Sequence, residues 1–187
     1  MRIAVLFGGV SEERDVSVAS GAQVVRALTS LGHDVIAVDT ARGALPPAEH
    51  AQLMTTGVAV EPPLAQTLSL VRRNARMLVR EAPELRQADV VFIALHGGSG
   101  EDGTIQALFD LAGIPYTGTG HFGSAYAMDK DVAKRLFRSA DVPTPDWLMA
   151  PVDTHAVTAA LGFPVIVKPN KQGSSVGLDV VGDQDAL

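Results

Sequence analysis

The opening of the chain constrains its fold more than any other stretch. Ile3-Ala-Val-Leu-Phe7 is an unbroken apolar run ending on Gly8-Gly9, the pattern of a fully buried strand closed by a turn. From Val16 to Leu31 the period changes. Val18, Gly21, Ala22, Val25, Leu28 and Thr29 fall on one helical stripe, and Gly32 stands where a C-cap glycine belongs. Asp34 to Val38 reads as a second strand with Asp39 at its carboxyl end. Strand, helix and strand in that order predict a right-handed βαβ unit with parallel strands.

Composition narrows the function classes. The 187 residues are 47% hydrophobic and 5% aromatic, with a mean hydropathy of +0.19, so the core is built mainly from Ala, Val, Leu and Ile. That supply excludes disorder as a description of the whole. Fifteen Lys+Arg against 21 Asp+Glu give a net charge of -6, which argues against a nucleic-acid surface. The absence of cysteine excludes a disulfide scaffold, a Cys-ligated zinc site and thiol catalysis. No apolar run has the length of a membrane helix. Met1 to Gly9 is too short, and too soon followed by Glu12-Glu13-Arg14-Asp15, for a secretory signal. The expectation is a soluble, cytoplasmic protein.

Residues 40–88 are less patterned. Pro46-Pro47 and Pro62-Pro63 bracket a weak segment, after which Leu64, Leu68, Val71, Ala75 and Leu78 recur at helical spacing. Arg72, Arg73, Arg76 and Arg80 accompany them, as a solvated arginine face of an amphipathic helix rather than an anion-binding patch. Order returns with the buried strand Val90-Val-Phe-Ile-Ala-Leu95, followed by His96-Gly-Gly-Ser-Gly-Glu-Asp-Gly103. Thr104 to Leu111 is helical, Gly113 caps it, and Ile114 to Tyr116 is briefly extended. Thr117-Gly-Thr-Gly120 reads as a linker, which places a domain boundary near residue 118. Beyond it come a charged helix from Asp129 to Ser139, a short strand from Trp147 to Met149, and a helix from Thr154 to Leu161 ended by Gly162. A strand, Pro164-Val-Ile-Val-Lys168, then enters the loop Lys171-Gln-Gly-Ser-Ser-Val-Gly177 and returns as Leu178 to Val181.

Two glycine-rich turns thus follow apolar strands, where ligands of open parallel sheets collect. Neither fits the dinucleotide fingerprint, and Asp39 alone is a weak stand-in for its ribose-binding acid. Glu13, Arg14 and Asp15 read equally as helix N-terminal charges or as a polar site. His96, at a strand end, is equally a structural histidine or a site residue. Lys168 ends an apolar strand, so its ammonium must emerge at the sheet end or meet an anion, because an unpaired buried charge is costly. The Gly-Ser-Ser turn after it runs strand to strand, not into a helix, and so is not a Walker A loop. A flap of this kind, with Lys130 as a second lysine, is another way to hold a nucleotide triphosphate.

Taken together these pieces resemble the D-alanine–D-alanine ligases of the ATP-grasp superfamily. The resemblance rests on Leu6-Phe-Gly-Gly-Val-Ser-Glu-Glu-Arg-Asp-Val-Ser-Val18 and Ile93-Ala-Leu-His-Gly-Gly-Ser-Gly-Glu-Asp-Gly-Thr104. It rests equally on Pro115-Tyr-Thr-Gly-Thr-Gly120, Ala127-Met-Asp-Lys130 and Phe163-Pro-Val-Ile-Val-Lys-Pro-Asn-Lys-Gln-Gly-Ser-Ser-Val-Gly177. The match leaves out residues 40–88, and Ser99-Gly100 replaces the family's usual glycine pair before the acidic residue. It implies an α/β fold: a Rossmann-like parallel-sheet domain over 1–118, then the first, incomplete part of an ATP-grasp domain over 119–187.

It also implies a reaction. ATP phosphorylates the carboxylate of one D-alanine, and the amine of a second displaces phosphate from the acyl phosphate, giving a dipeptide for peptidoglycan synthesis. Carried over by residue, Glu13 would hold the first substrate's ammonium, with Ser174 as its hydrogen-bonding partner across the domain gap. Val16 and His96 would line the first-substrate pocket. Lys130 and Lys168 would bind ATP phosphates, and backbone donors around Gly173, Ser174 and Ser175 would cover the transferred group. The family's magnesium ligands are expected beyond Leu187, with no metal ligand in this chain, so the chain is expected to be inactive alone. The other readings are a non-catalytic D-alanine-binding module and a relative making D-alanyl-D-lactate or D-alanyl-D-serine. Homodimerisation, frequent in the family, is left open.

Overall fold

The computed structural model describes residues 1–46, 48–50 and 82–187. The helix expected around Leu64 to Leu78, with its arginines, lies outside the described residues. The chain divides into two compact units, Met1–Ala125 and Tyr126–Leu187.

The first unit is built on β1 (Arg2–Phe7), α1 (Arg14–Ser30), β2 (Asp34–Asp39) and β3 (Gly43–Ala44). After these come α2 (Pro83–Gln87), β4 (Val90–Ile93), a 3-10 turn (Gly98–Gly100), α3 (Thr104–Ala112) and α4 (His121–Met128), within which the unit ends. The sheet order is β3-β2-β1-β4. β1 runs parallel to β2, with Ala4 opposite Ile36, and parallel to β4, with Ala4 opposite Val91. The expected βαβ unit is therefore present. β3, which the sequence pattern does not announce, pairs antiparallel with β2 over two residues.

Every residue of β1 after Arg2 is buried, because both faces of the sheet are covered. Ile3, Val5 and Phe7 meet Val18, Ala22 and Val25 of α1 on one face. Ala4 and Leu6 meet Leu85, Ile105, Phe109 and Ile114 on the other. The strand's period of two deals the continuous apolar run to two separate cores. Gly21 lets α1 approach: a Cβ there would lie 2.6 Å from the Phe7 side chain.

The second unit holds α5 (Lys130–Ser139), α6 (Thr154–Ala160), β5 (Val165–Val167) and β6 (Asp179–Val181). Asp129 and Asp153 cap the two helices by accepting from the N–H groups of Val132 and Ala156. β5 and β6 pair antiparallel, with Val165 opposite Val181, so the glycine-serine loop does join two antiparallel strands. Trp147 to Met149, expected as a strand, is irregular. Pro143 and Pro145 remove ladder donors ahead of it, and the stretch is held to α5 through side chains instead. The Trp147 indole donates to Asp131 at 2.8 Å, and Lys134 donates to Thr144 at 2.7 Å. A second departure is α4, which follows the expected linker directly; its one buried residue is Ser124, so no apolar stripe announces it.

Candidate functional site

In the first unit the relevant surface lies at the carboxyl ends of β1 and β4. The turn after β1 is stitched by buried hydroxyls. Gly8 N–H donates to Ser17 Oγ at 2.9 Å, Gly9 N–H donates to Thr40 Oγ1 at 2.7 Å, and Ser17 Oγ donates to the Ala94 carbonyl at 2.6 Å. The amides of the glycine pair are thus engaged within the protein. Asp39 is no ribose-binding acid: it is 4% exposed and grips the Arg14 guanidinium with both oxygens, at 2.9 and 2.8 Å.

Glu13 stands at the N-cap of α1 without its side chain capping the helix. Its N–H donates to Ser11 Oγ, and that hydroxyl donates to the His96 carbonyl, tying the start of α1 to the end of β4. Gly97 sits directly beneath the Glu13 carboxylate. A Cβ at Gly97 would fall 2.6 Å from Glu13 Oε2, and the φ of +66° further restricts the position to glycine. His96 Nε2 lies 3.1 Å from Ser20 Oγ, and Nδ1 lies 3.8 Å from Glu101 Oε1. Glu13, Val16 and Ser20, three and four positions apart, share one stripe of α1, and Val16 is partly exposed on it. Glu13 and His96 therefore meet at one sheet end, with Val16 on the same stripe as Glu13.

In the second unit Lys130 and Lys168 line a single cavity of about 590 Å³, walled by Trp147, Val157, Val165 and Pro169. The Lys130 ammonium donates to the carbonyls of Asn170, at 3.2 Å, and Gln172. Burial lowers its pKa, the Lys168 charge lowers it further, and Asp129 opposes both. Two ammonium groups that repel at one cavity wall favour an anion between them. Lys168 follows β5 directly and is exposed, as a charge at a strand end requires. Gly173, Ser174 and Ser175 lie in the loop between β5 and β6. Ser174 is exposed with a φ of 53°, a left-handed conformation unusual for serine. Glu13 belongs to the first unit and Ser174 to the second.

Sequence reasoning missed Ser11, Ser20 and Asn170. The first two are marked by the helical stripe they share or precede. Asn170 is not marked at all, because its partners lie about forty positions earlier. Among the described residues no group of three or more His, Asp or Glu is placed to hold a metal ion. Among them, too, no helix is long and apolar enough to cross a membrane.

Comparison with known proteins places the chain in a family. A family profile described as D-ala D-ala ligase N-terminus matches residues 2–119, and one described as D-ala D-ala ligase C-terminus matches residues 136–187. The D-alanine--D-alanine ligase of Halorhodospira halophila is 40% identical over 186 residues, covering 100% of this chain and 49% of that protein. That of Delftia acidovorans is 42% identical over 184 residues, covering 96% and 45%. The chain spans about half the length of the curated relatives it matches. Among solved structures, the D-alanine-D-alanine ligase from Coxiella burnetii superposes with a TM-score of 0.72 at 26% identity, over 100% of this chain and 58% of that one. The Bacillus anthracis D-alanine--D-alanine ligase complexed with ATP superposes at 0.69 and 29%, over 99% and 52%. With both profiles falling in order along a chain of this fold, the protein belongs to the D-alanine–D-alanine ligase family.

Proposed function

We propose that the chain serves in the ATP-dependent joining of two D-alanines into the dipeptide used for peptidoglycan precursors. The observation that carries this reading is the Glu13 carboxylate held over Gly97, next in the chain to His96, a negative charge of the sign an amino acid's ammonium needs. Val16 supplies an apolar neighbour for the methyl group, and the His96 ring, hydrogen-bonded to Ser20, limits the pocket. Lys130 and Lys168 take the phosphates of ATP at the cavity they share. The Gly173-Ser174-Ser175 turn covers the transferred group with backbone donors, and the Ser174 hydroxyl serves in closing that cover.

The chemistry follows from those placements. A carboxylate oxygen of the first D-alanine forms a bond to the γ-phosphorus as the bond to ADP breaks. The second D-alanine's amine then attacks the acyl carbon, phosphate departs and the amine loses a proton. The protein's part is positioning and charge neutralisation, with water kept from the acyl phosphate. Magnesium, which the family's reaction implies, has no group of three or more carboxylate or imidazole donors to hold it among the described residues.

Two binding measurements test the reading. Calorimetry is expected to show D-alanine binding that Glu13→Gln weakens by about tenfold or more, the loss of one charge-assisted contact. ATP is expected to alter the fluorescence of Trp147, the one tryptophan, with Lys168→Met weakening the effect. Equal D-alanine affinity in Glu13→Gln removes Glu13 from its role.

A further inference from the structure

We infer that Asn170 is a positioning residue, anchoring the glycine-serine loop to the start of α5 so that Lys130 and Lys168 address one ligand. The inference rests on the ATP reading above and deepens it. Asn170 follows Lys168 by two residues and opens the loop. Its side chain is used at both ends. Nδ2 donates to Asp129 Oδ1 at 2.8 Å, and Oδ1 accepts the Asp131 N–H at 3.0 Å. Its carbonyl accepts both the N–H and the ammonium of Lys130, each at 3.2 Å. The next residue, Lys171, places its ammonium 3.3 Å from the other Asp129 oxygen.

These contacts make a closed circuit. Asp129 caps α5 through Val132 and receives Asn170, while Asn170 satisfies the Asp131 amide that a helix start leaves unpaired. The Lys130 backbone is fixed between those two residues, so the direction of its side chain is set by the same bonds that root the loop. Only a carboxamide offers a donor and an acceptor in this geometry. An aspartate at 170 would set two carboxylates against each other, and an alanine would leave the Asp131 amide unmet and Asp129 with only Val132 and Lys171. Asn170 also lines the cavity, but its side-chain amide is spent on Asp129 and Asp131, so the role inferred is positioning.

A double-mutant cycle tests this, with Asp129→Ala and Asn170→Ala removing the two ends of the bond between them. The Lys130 N–H donates to the backbone carbonyl of Asn170, which every variant keeps. Hydrogen exchange at the Lys130 amide in the nucleotide-free chain therefore reads the anchoring, and Trp147 fluorescence with ATP reads the consequence. Asn170→Ala is expected to speed exchange at Lys130 and weaken ATP binding, each by about tenfold. Asp129→Ala is expected to speed that exchange by a smaller factor in the Asn170→Ala background than alone. Circular dichroism checks that α5 persists. Unchanged Lys130 exchange in Asn170→Ala, or an equal Asp129→Ala factor in both backgrounds, overturns the anchoring role whatever ATP does. Altered exchange with unaltered ATP affinity overturns the link to the ligand. An original chain that ignores ATP overturns the functional reading, and the exchange data then still decide the anchor.

Discussion

The two units differ in how their sheets bury apolar residues. In the first, Leu6, Phe7, Leu85 and Phe109 are fully buried between sheet and helices. In the second, Val157 and Val181 are the buried apolar residues among those described, while Ile166 and Val180 on the two-stranded sheet are 59% and 64% exposed. A two-stranded sheet is marginal by itself, so the second unit's order rests more on polar links. Asp129 with Asn170, Asp131 with Trp147, and Arg138 packed 4.4 Å from the Trp147 ring centre are its visible ties. Apolar pattern therefore stands for burial along the sheet of the first unit and largely for an open surface along the two-stranded sheet of the second.

The strongest way to break that contrast is a pair of truncations. Phe109→Ala is expected to cost about 4 kcal/mol in urea unfolding, whereas Phe137→Ala, half exposed on α5, costs under about 1 kcal/mol. Equal costs would show that the second unit has a core of the same kind. Next in size is Arg14→Met, which leaves the buried Asp39 carboxylate without its guanidinium and is expected to cost about 3 kcal/mol by the same assay. Gly97→Ala follows at about 1–2 kcal/mol, with a matching loss of D-alanine affinity because the methyl group enters the Glu13 carboxylate. Ile166→Thr is expected to change stability by less than about 0.5 kcal/mol while reducing binding of a hydrophobic dye.

Acid sharpens the comparison most gently. The pKa of Asp129 is lowered by the Asn170 hydrogen bond and then by the Val132 amide, and that of Asp131 is lowered by Arg135 and then by Trp147. A carboxyl group held below its unfolded value stabilises the fold above the ordinary value of 3.8, and that contribution is lost as the pH falls through the lower folded value. Trp147 fluorescence should therefore report an acid transition of the second unit that Asn170→Ala moves to higher pH. A transition unmoved by that variant would detach Asp129 from the unit's stability.

What the sequence discloses follows the same division. β1, α1, β2 and β4 were legible because burial on two faces imposes a period, and the period is what residues display. Trp147 to Met149 misled because an apolar triplet resembles a strand whether or not a neighbour exists to pair with it. α4 was invisible because it buries one serine. At the site, Lys168 and, with it, Lys130 point to a triphosphate from the strand-end charge and the flap pattern, while Glu13 and His96 have an equal structural reading and are named through the family resemblance. Asn170 escaped notice since its role depends on residues brought near only by folding.

One consequence of the Arg14 grip concerns its neighbour in sequence. Glu13 and Arg14 are adjacent opposite charges that an unfolded chain would let cancel. In the fold the guanidinium is turned inward to Asp39, and among the described residues no ion pair reaches Glu13. The trio therefore carries one net negative charge, displayed on the outer member. An Asp39→Asn change at the end of β2 would leave Glu13 and Arg14 as a neutral pair, with the guanidinium still donating to the Gly9 carbonyl, so the net charge beside Glu13 is set from the neighbouring strand.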